Sequence, residues 1–340
     1  LYFSKQPVKM VRAFIIGDPH FKITNVIDTD IMTEEIIKNI KILNPDIIVC
    51  LGDILDRHES IHVKPLENAT KFLNDLSKLA PLYAIIGNHD RPNNSNFMTT
   101  EHPFNAMKEW NNTYIVDTTL DVTIDNQRFI FVPYVPPGRF MEALEYITEP
   151  LKGNPIIFAH QEYKNAKMGA IVSMAGDFWD ESWPNVISGH VHDFDQLQSN
   201  ILYTGTPIQH SFGDKDNKCV ILATINDGAY TYEKIKLTLP IKRIIHLSCD
   251  ELFDYEIPGK YINDQLKLVI VGTTVEIQGI MKLPKIKELQ QKYRVVFKDI
   301  PNYKNCVSVS IERKSFKERI LEKIKDNPST LEIFNELFCN

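Results

Sequence analysis

From Met10 to about Asp90, short apolar runs alternate with amphipathic stretches, the rhythm of strand and helix units in an α/β layer fold. Val11–Ile16, Asp46–Leu51 and Leu82–Ile86 read as buried strands. Between the first two, Ile36, Ile37, Ile40 and Leu43 recur at helical spacing, and Asn44-Pro45 ends that helix before the next strand begins. Leu66, Ala69, Phe72, Leu73 and Leu76 make a similar stripe, the core-facing side of a second helix. Further strands are predicted at Asp121–Ile124, Phe129–Pro133, Pro155–Ala159, Val186–Ser188, Ile201–Tyr203 and Cys219–Ile225. So β-rich a second half predicts a two-sheet sandwich flanked by helices.

From Pro240 onward the character changes. Ile241–Leu247, Lys267–Val271 and Arg294–Asp299 read as strands, with a helix over Lys282–Lys292. Beyond Pro301, a strand at Cys306–Ile311 precedes two short amphipathic helices, Ser315–Lys325 and Ser329–Phe338, each opened by a serine suited to an N-cap. The expected division is therefore 10–240 as a large domain, 241–300 as a small α/β domain and 301–340 as a helical segment. The first nine residues, LYFSKQPVK, resemble an expression remnant or an arm more than an element of the fold, which makes Met10 the expected native start.

With 340 residues the chain can bury a full core and still carry an appended unit. It has no run of 18 or more apolar residues and no secretory pattern, so a soluble protein without a membrane role is expected. Its five cysteines are scattered and free of CxxC spacing, against both a disulfide framework and a zinc-thiolate site. A reducing interior, cytoplasmic or nucleoid-associated, is the expected location. The net charge of −6 speaks against coating nucleic acid by bulk electrostatics, but it is unevenly spread: residues 1–240 carry −9 and residues 241–340 carry +3. Two divalent cations in the acidic part would give the local sign a phosphate needs.

Chemistry concentrates in five motifs. Gly17-Asp18-Pro19-His20, Gly52-Asp53-Ile54-Leu55-Asp56-Arg57 and Gly87-Asn88-His89-Asp90 each follow an apolar strand, so carboxylate, imidazole and amide groups are delivered at strand carboxyl ends, where open α/β sheets place their ligands. Phe158-Ala159-His160 and Ser188-Gly189-His190-Val191-His192 follow, and alternation along an extended HxH segment sends both rings to one face. An Asp-x-His pair by itself is more often a turn plus a satisfied histidine; five such elements in this order are hard to assign to chance. Mixed Asp, His and Asn donors suit manganese, iron or zinc.

The set Asp-x-His, Gly-Asp-x-x-Asp, Gly-Asn-His-Asp, His and Gly-His-x-His resembles the signature of calcineurin-like metallophosphoesterases over about residues 10–230. The resemblance implies that Asp18, His20 and His192 hold one ion, that Asn88, His160 and His190 hold the other, and that Asp53 bridges them. It leaves His89 as the non-ligand catalytic histidine. Two ions about 3.5–4 Å apart would acidify a shared water and neutralise developing charge. His89 would protonate the leaving oxygen, a task that suits imidazole. Manganese is the first expectation, with iron, zinc or magnesium as alternatives. Asp56 reads as a support for a loop or a ligand, and Arg57 as either a phosphate contact or a surface arginine. His62, His102, His210 and His246 read as ordinary surface or satisfied histidines, whereas His58 follows the second motif closely enough to overhang the site.

Gly-Asn-His-Asp instead of Gly-Asn-His-Glu, and His58 after Arg57, move the chain away from the phosphoprotein phosphatases. Tyr203-Thr-Gly205-Thr-Pro207, followed by Phe212-Gly213-Asp214, resembles a segment of SbcD-type nucleases, the nuclease subunits of double-strand-break repair complexes, which include short phage and viral versions. This resemblance implies a DNA exonuclease or endonuclease in repair and recombination, a small DNA-capping domain, an SbcC-type coiled-coil ATPase as partner and a homodimer. The capping domain would use Lys282, Lys285 and Lys287 as phosphate contacts, although a solvated helix face accounts for them equally well. The C-terminal helix pair would dock on the ATPase or pack on its own domain, and Asn93–Trp110 would supply a dimer contact. The alternative is a phosphodiesterase or phosphomonoesterase acting on a small ester.

Overall fold

The computed structural model describes residues 10–58, 60–169, 171–280, 282–292 and 296–301, with isolated positions 324, 328, 330, 332 and 334 beyond them. In chain order the first elements are β1 (Val11–Ile16), α1 (Val26–Leu43), β2 (Ile47–Cys50), α2 (Val63–Ser77), β3 (Leu82–Ile85), β4 (Thr113–Val116), β5 (Leu120–Ile124) and β6 (Gln127–Val132). Next come α3 (Phe140–Leu144), β7 (Ile156–His160), β8 (Lys167–Met168), β9 (Ile171–Val172), β10 (Val186–Gly189), β11 (Asp195–Gln198), β12 (Ile201–Tyr203), β13 (Val220–Asn226) and β14 (Ala229–Ile235).

Two six-stranded sheets result, in the orders β14-β13-β1-β2-β3-β4 and β11-β12-β10-β7-β6-β5. Within the first, β1 to β4 run parallel; within the second, β6, β7, β10 and β12 do. Parallel strands covered on both faces read as continuous apolar runs, which is why these strands stand out in the sequence. Alternation sorts their side chains. Val11, Ala13 and Ile15 of β1 meet Phe129, Phe131 and Phe158 in the core between the sheets. Phe14 and Ile16 point the other way, onto Met32, Ile36 and Ile40 of α1 and Phe72, Leu73 and Leu76 of α2. The second sheet's outer face carries its own cluster, with Phe140, Tyr163 and Trp179. The α/β fold of two multistranded sheets flanked by helices is thus the one expected from the sequence.

The helix stripes occupy the core as predicted, and α1 ends at Asn44, which adopts a left-handed conformation and donates its amide to the Ile40 carbonyl. Several elements up to residue 240 were not predicted: β4, α3, β8, β9, β11 and β14. Of these, β11 (DQLQ) and β14 (AYTYEKI) are edge strands with largely solvent-facing side chains, so neither carries an apolar run. In the Asn93–Trp110 segment a 3-10 turn spans Asn105–Glu109, and Phe104 and Met107 are buried in this chain's own core.

Past Pro240, β15 (Lys242–Ser248), β16 (Gln265–Gly272) and β17 (Val296–Pro301) form a three-stranded sheet in that order, with α4 (Cys249–Asp254), α5 (Thr274–Ile280) and α6 (Pro284–Lys292) between them. Only the last helix was predicted, and its start at Pro284 places the proline where its missing N–H costs nothing. Helix α4 is opened by a capping box, with Ser248 Oγ accepting from the Glu251 amide at 3.2 Å and the Glu251 carboxylate accepting from the Ser248 amide at 2.7 Å. The chain divides into two compact units, one of Leu1–Ile245, Glu256–Leu268 and Glu288–Val296, the other of His246–Tyr255, Val269–Lys287 and Phe297–Asn340. The strand expected at Cys306–Ile311 lies outside the described residues, as do the helices expected at Ser315–Lys325 and Ser329–Phe338 apart from isolated positions. Among the described residues, no helix is long and apolar enough to cross a membrane.

Candidate metal centre

The five motif strands bring their carboxyl ends to one place. Asp18 and His20 follow β1, Asp53 follows β2 and Asn88 follows β3, all in the first sheet; His160 ends β7, and His190 and His192 follow β10 in the second. The sharp exits require unusual backbone: His20, Asp53 and His190 have φ of +45°, +48° and +80°. Non-glycine residues in this region carry strain of about 1–3 kcal/mol each, a cost found where function over-determines geometry. Two glycines make the approach possible. A Cβ on Gly87 would lie 2.3 Å from Asp53 Oδ1, and one on Gly189 would lie 2.4 Å from Asp18 Oδ1.

Seven donors result, in two groups. Asp18, His20 and His192 offer ligand atoms all within 4.8 Å of one another, and so do Asp53, His160 and His190. In the first group the Nε2 atoms of His20 and His192 are 3.1 Å apart. In the second, Asn88 Oδ1 lies 3.0 Å from both His160 Nε2 and His190 Nδ1, which are themselves 3.3 Å apart. Asp53 reaches both: its carboxylate is 3.3 Å from His160 Nε2 and 3.7 Å from His20 Nε2.

Several features fit this cage to cations. Donor separations of 3.0–3.3 Å match the edges of a polyhedron whose metal bonds are about 2.0–2.2 Å long. The orientation of His160 is set by its contact to the Leu51 carbonyl at 2.8 Å, which only accepts; Nδ1 therefore donates and Nε2 is the nitrogen turned toward the other donors. Asp18 Oδ1 is sealed from water with no hydrogen-bond partner. Burial pushes the Asp18 carboxyl up to about 8, with the neighbouring Asp53 adding to the rise. Burial also drives His20 well below the ordinary imidazole range. At Asp53 burial acts upward, but His160, His20 and His89 outweigh it and hold the carboxylate well below its usual value. At His160 burial acts downward and is overcome by Asp53 and Asp18, leaving it at about 9. A buried, crowded set of acids and imidazoles with an unpaired carboxylate oxygen is the chemistry a divalent cation satisfies.

His89 stands beside this cage, half exposed. Its amide donates to Asp53 Oδ1 at 2.8 Å, and its Nδ1 lies 2.8 Å from the Asp56 carbonyl oxygen. Nδ1 thus donates and Nε2 is the free nitrogen, 4.0 Å from Asp53 Oδ2. The support from Asp56 comes through its backbone, while its carboxylate pairs with Lys22 Nζ at 2.9 Å. Arg57 is exposed, His58 packs on His89, and Lys282, Lys285 and Lys287 belong to the second compact unit, where Lys282 and Lys287 are exposed.

Three residues near the centre were not singled out in the sequence. Asp90 ties the second and third motif loops together, accepting from the amides of Leu55 at 2.8 Å, Ile54 at 3.2 Å and Gly87 at 3.0 Å. Burial, with Asp53 next, raises its carboxyl to about 6. His210, read as ordinary, is half-buried against His20 and His192 with Nε2 3.2 Å from the Asp18 carbonyl oxygen. Glu162 places a carboxylate oxygen 3.7 Å from His190 Nε2. Position within a motif flags Asp90, and the Tyr203–Asp214 segment that follows the last motif contains His210; nothing in the pattern marks Glu162.

The profile of the calcineurin-like phosphoesterase family matches residues 11–194. A protein of Invertebrate iridescent virus 6 named "Putative phosphoesterase 244L" is 41% identical over 278 residues, spanning 80% of this chain and 97% of the viral protein. "Putative phosphoesterase 078R" of Invertebrate iridescent virus 3 is 36% identical over 303 residues, 88% of this chain and 87% of its own length. The crystal structure of TT1561 of Thermus thermophilus is 10% identical with a TM-score of 0.44, covering 66% of this chain and 99% of that one.

Proposed function

This chain belongs to the calcineurin-like phosphoesterase family, and from that membership we propose that it is a two-metal nuclease, hydrolysing phosphodiester bonds in DNA during end processing with an SbcC-type ATPase as partner. The observation that carries the two-metal reading is the convergence of two donor groups on Asp53 with His89 alongside. Asp18, His20 and His192 would hold one divalent ion, Asn88, His160 and His190 the other, with Asp53 shared. Bound ions supply a water acidic enough to attack at neutral pH and positive charge for the phosphate. His89 would do the remaining proton work: its Nδ1–H is committed to the Asp56 carbonyl, so in the imidazolium form the Nε2–H is the proton that can pass to the leaving oxygen, returning the ring to its neutral Nδ1–H tautomer.

DNA is favoured as substrate by the segment that resembles SbcD-type nucleases, because it lies against the donors. The Thr206 amide donates to the His192 carbonyl at 3.1 Å, and His210 donates to that of Asp18. A cleft of about 520 Å³ opens at His190 and His192 and is lined by Lys167, Lys215 and Lys218 together with Asp193 and Asp214, with Lys215 and Lys218 paired to Asp193 at 2.8 and 3.4 Å. The test is cleavage of end-labelled linear duplex and hairpin DNA with manganese, beside cyclic nucleotides and aryl phosphates. Cleaved DNA supports the reading; turnover of the small esters alone overturns the nuclease and leaves a small-ester phosphodiesterase.

A further inference from the structure

The loops after β2 and β3 grip one another through a pair of histidines. His89, on the β3 loop, donates Nδ1–H to the carbonyl of Asp56 on the β2 loop at 2.8 Å. In return His58, two residues past Asp56, places Nδ1 3.2 Å from the carbonyl of Arg91, two residues past His89. A carbonyl only accepts, so both rings carry a proton on Nδ1 in this arrangement. The rings lie face to face, with centroids 4.7 Å apart and planes 16° from parallel. The far anchor is firm, since Arg91 is buried and its guanidinium donates to the Tyr134 carbonyl at 2.6 Å. His20 meets the His89 ring in an edge contact, centroids 5.1 Å apart at 84°.

We propose that His58 is a positioning residue for phosphoester hydrolysis: stacked on His89 and tethered to the Arg91 carbonyl, it fixes the plane and tautomer of the His89 imidazole so that Nε2 is kept for the leaving oxygen. This rests on the role given to His89 above and not on DNA being the substrate. One hydrogen bond leaves an imidazole free to swing about Cβ–Cγ; a second ring against its face removes that freedom without taking up Nε2. A ring face already covered by His89 is, by the same token, unavailable to stack on a base.

The experiment compares wild type, His58→Ala and His58→Phe on bis(p-nitrophenyl) phosphate with manganese, together with imidazole 15N–1H spectra of the magnesium-supplemented proteins. His58→Ala should lower kcat roughly five- to tenfold, the size expected of one aromatic pair, with little change in KM or bound manganese. His58→Phe, which keeps the stack, should recover most of that loss. In the spectra, the neutral form of His89 should be a single Nδ1–H tautomer in wild type, the tautomer that gains its transferable proton at Nε2, and a mixture in His58→Ala. An unchanged kcat in His58→Ala, equal impairment of both variants, or a His89 tautomer indifferent to residue 58 overturns the proposal. If wild type fails to turn over the diester, the hydrolase reading falls while the spectra still decide what His58 does.

Discussion

The two donor groups differ in how far the protein completes them. Around Asp53, His160 and His190, the chain itself supplies much: His160 is fully buried with its Nδ1 held by Leu51, Asn88 reaches two imidazoles, and Asp53 accepts the His89 amide. Around Asp18, His20 and His192, less is settled: one Asp18 oxygen has no hydrogen-bond partner, and His192 is exposed along the cleft. Both groups meet the cleft, the first through half-buried His190 and the second through exposed His192, so the first is the more enclosed and more preorganised, the contrast that separates firmly held ions from those sharing coordination with water and substrate. A tight ion and a more readily exchanged one are the expected consequence.

The hardest blow to that contrast comes from Asp53→Asn, which weakens the one carboxylate both groups share. Phosphoester turnover should fall on the order of a thousandfold or more, with less than two equivalents of metal retained by elemental analysis; full retention would mean the groups are independent. Next is His89→Ala, which touches neither group. Its kcat should drop about a hundredfold while manganese content stays near wild type, and a matching loss of metal would make His89 part of the cage. The contrast itself is read by titrating manganese calorimetrically. His192→Ala should weaken only the looser step, by about 10–100-fold, whereas His160→Ala should abolish the tighter one; identical isotherms would erase the distinction.

The smallest effect is a dependence on pH in chelator-treated protein. Asp18, Asp90 and His160 all have folded values raised above their ordinary 3.8, 3.8 and 6.5, to about 8, 6 and 9. A raised group contributes stability that is complete below its unfolded value and is lost as pH climbs through the folded one. Stability should therefore fall from Asp90 and Asp18 between about pH 4 and 8, and from His160 between about 6.5 and 9. Asp53, held low, acts oppositely, giving stability that is lost only in stronger acid. Melting temperature measured from pH 6 to 9 should decline without cations and decline less with manganese present; a flat profile would mean that these buried groups are already compensated.

Most of what the sequence disclosed concerns strands covered on both faces and helices with one apolar stripe, because burial there writes itself as uninterrupted or periodic apolar residues. β1 and the stripe of α2 are of this kind, and the five motifs stand out as the polar residues that end such strands. β11 and β14 were hidden because an edge strand facing water needs no such pattern. At the centre, donor identities were legible and their mutual support was not. Asp56 holds His89 through a carbonyl, an atom every residue has, so its side chain gives no sign of it. Asp90 collects three amides that lie 3, 35 and 36 positions away, and only the folded chain brings those loops together.

The donors hang from both layers of the sandwich: Asp18, His20, Asp53 and Asn88 from one sheet, His160, His190 and His192 from the other. Ions seated there would rivet the two layers, so that catalytic readiness and mechanical cohesion come from the same event. A strand edge that loosened would disarm the chemistry before the protein unfolded, leaving no window in which a half-open sandwich could hydrolyse a phosphoester.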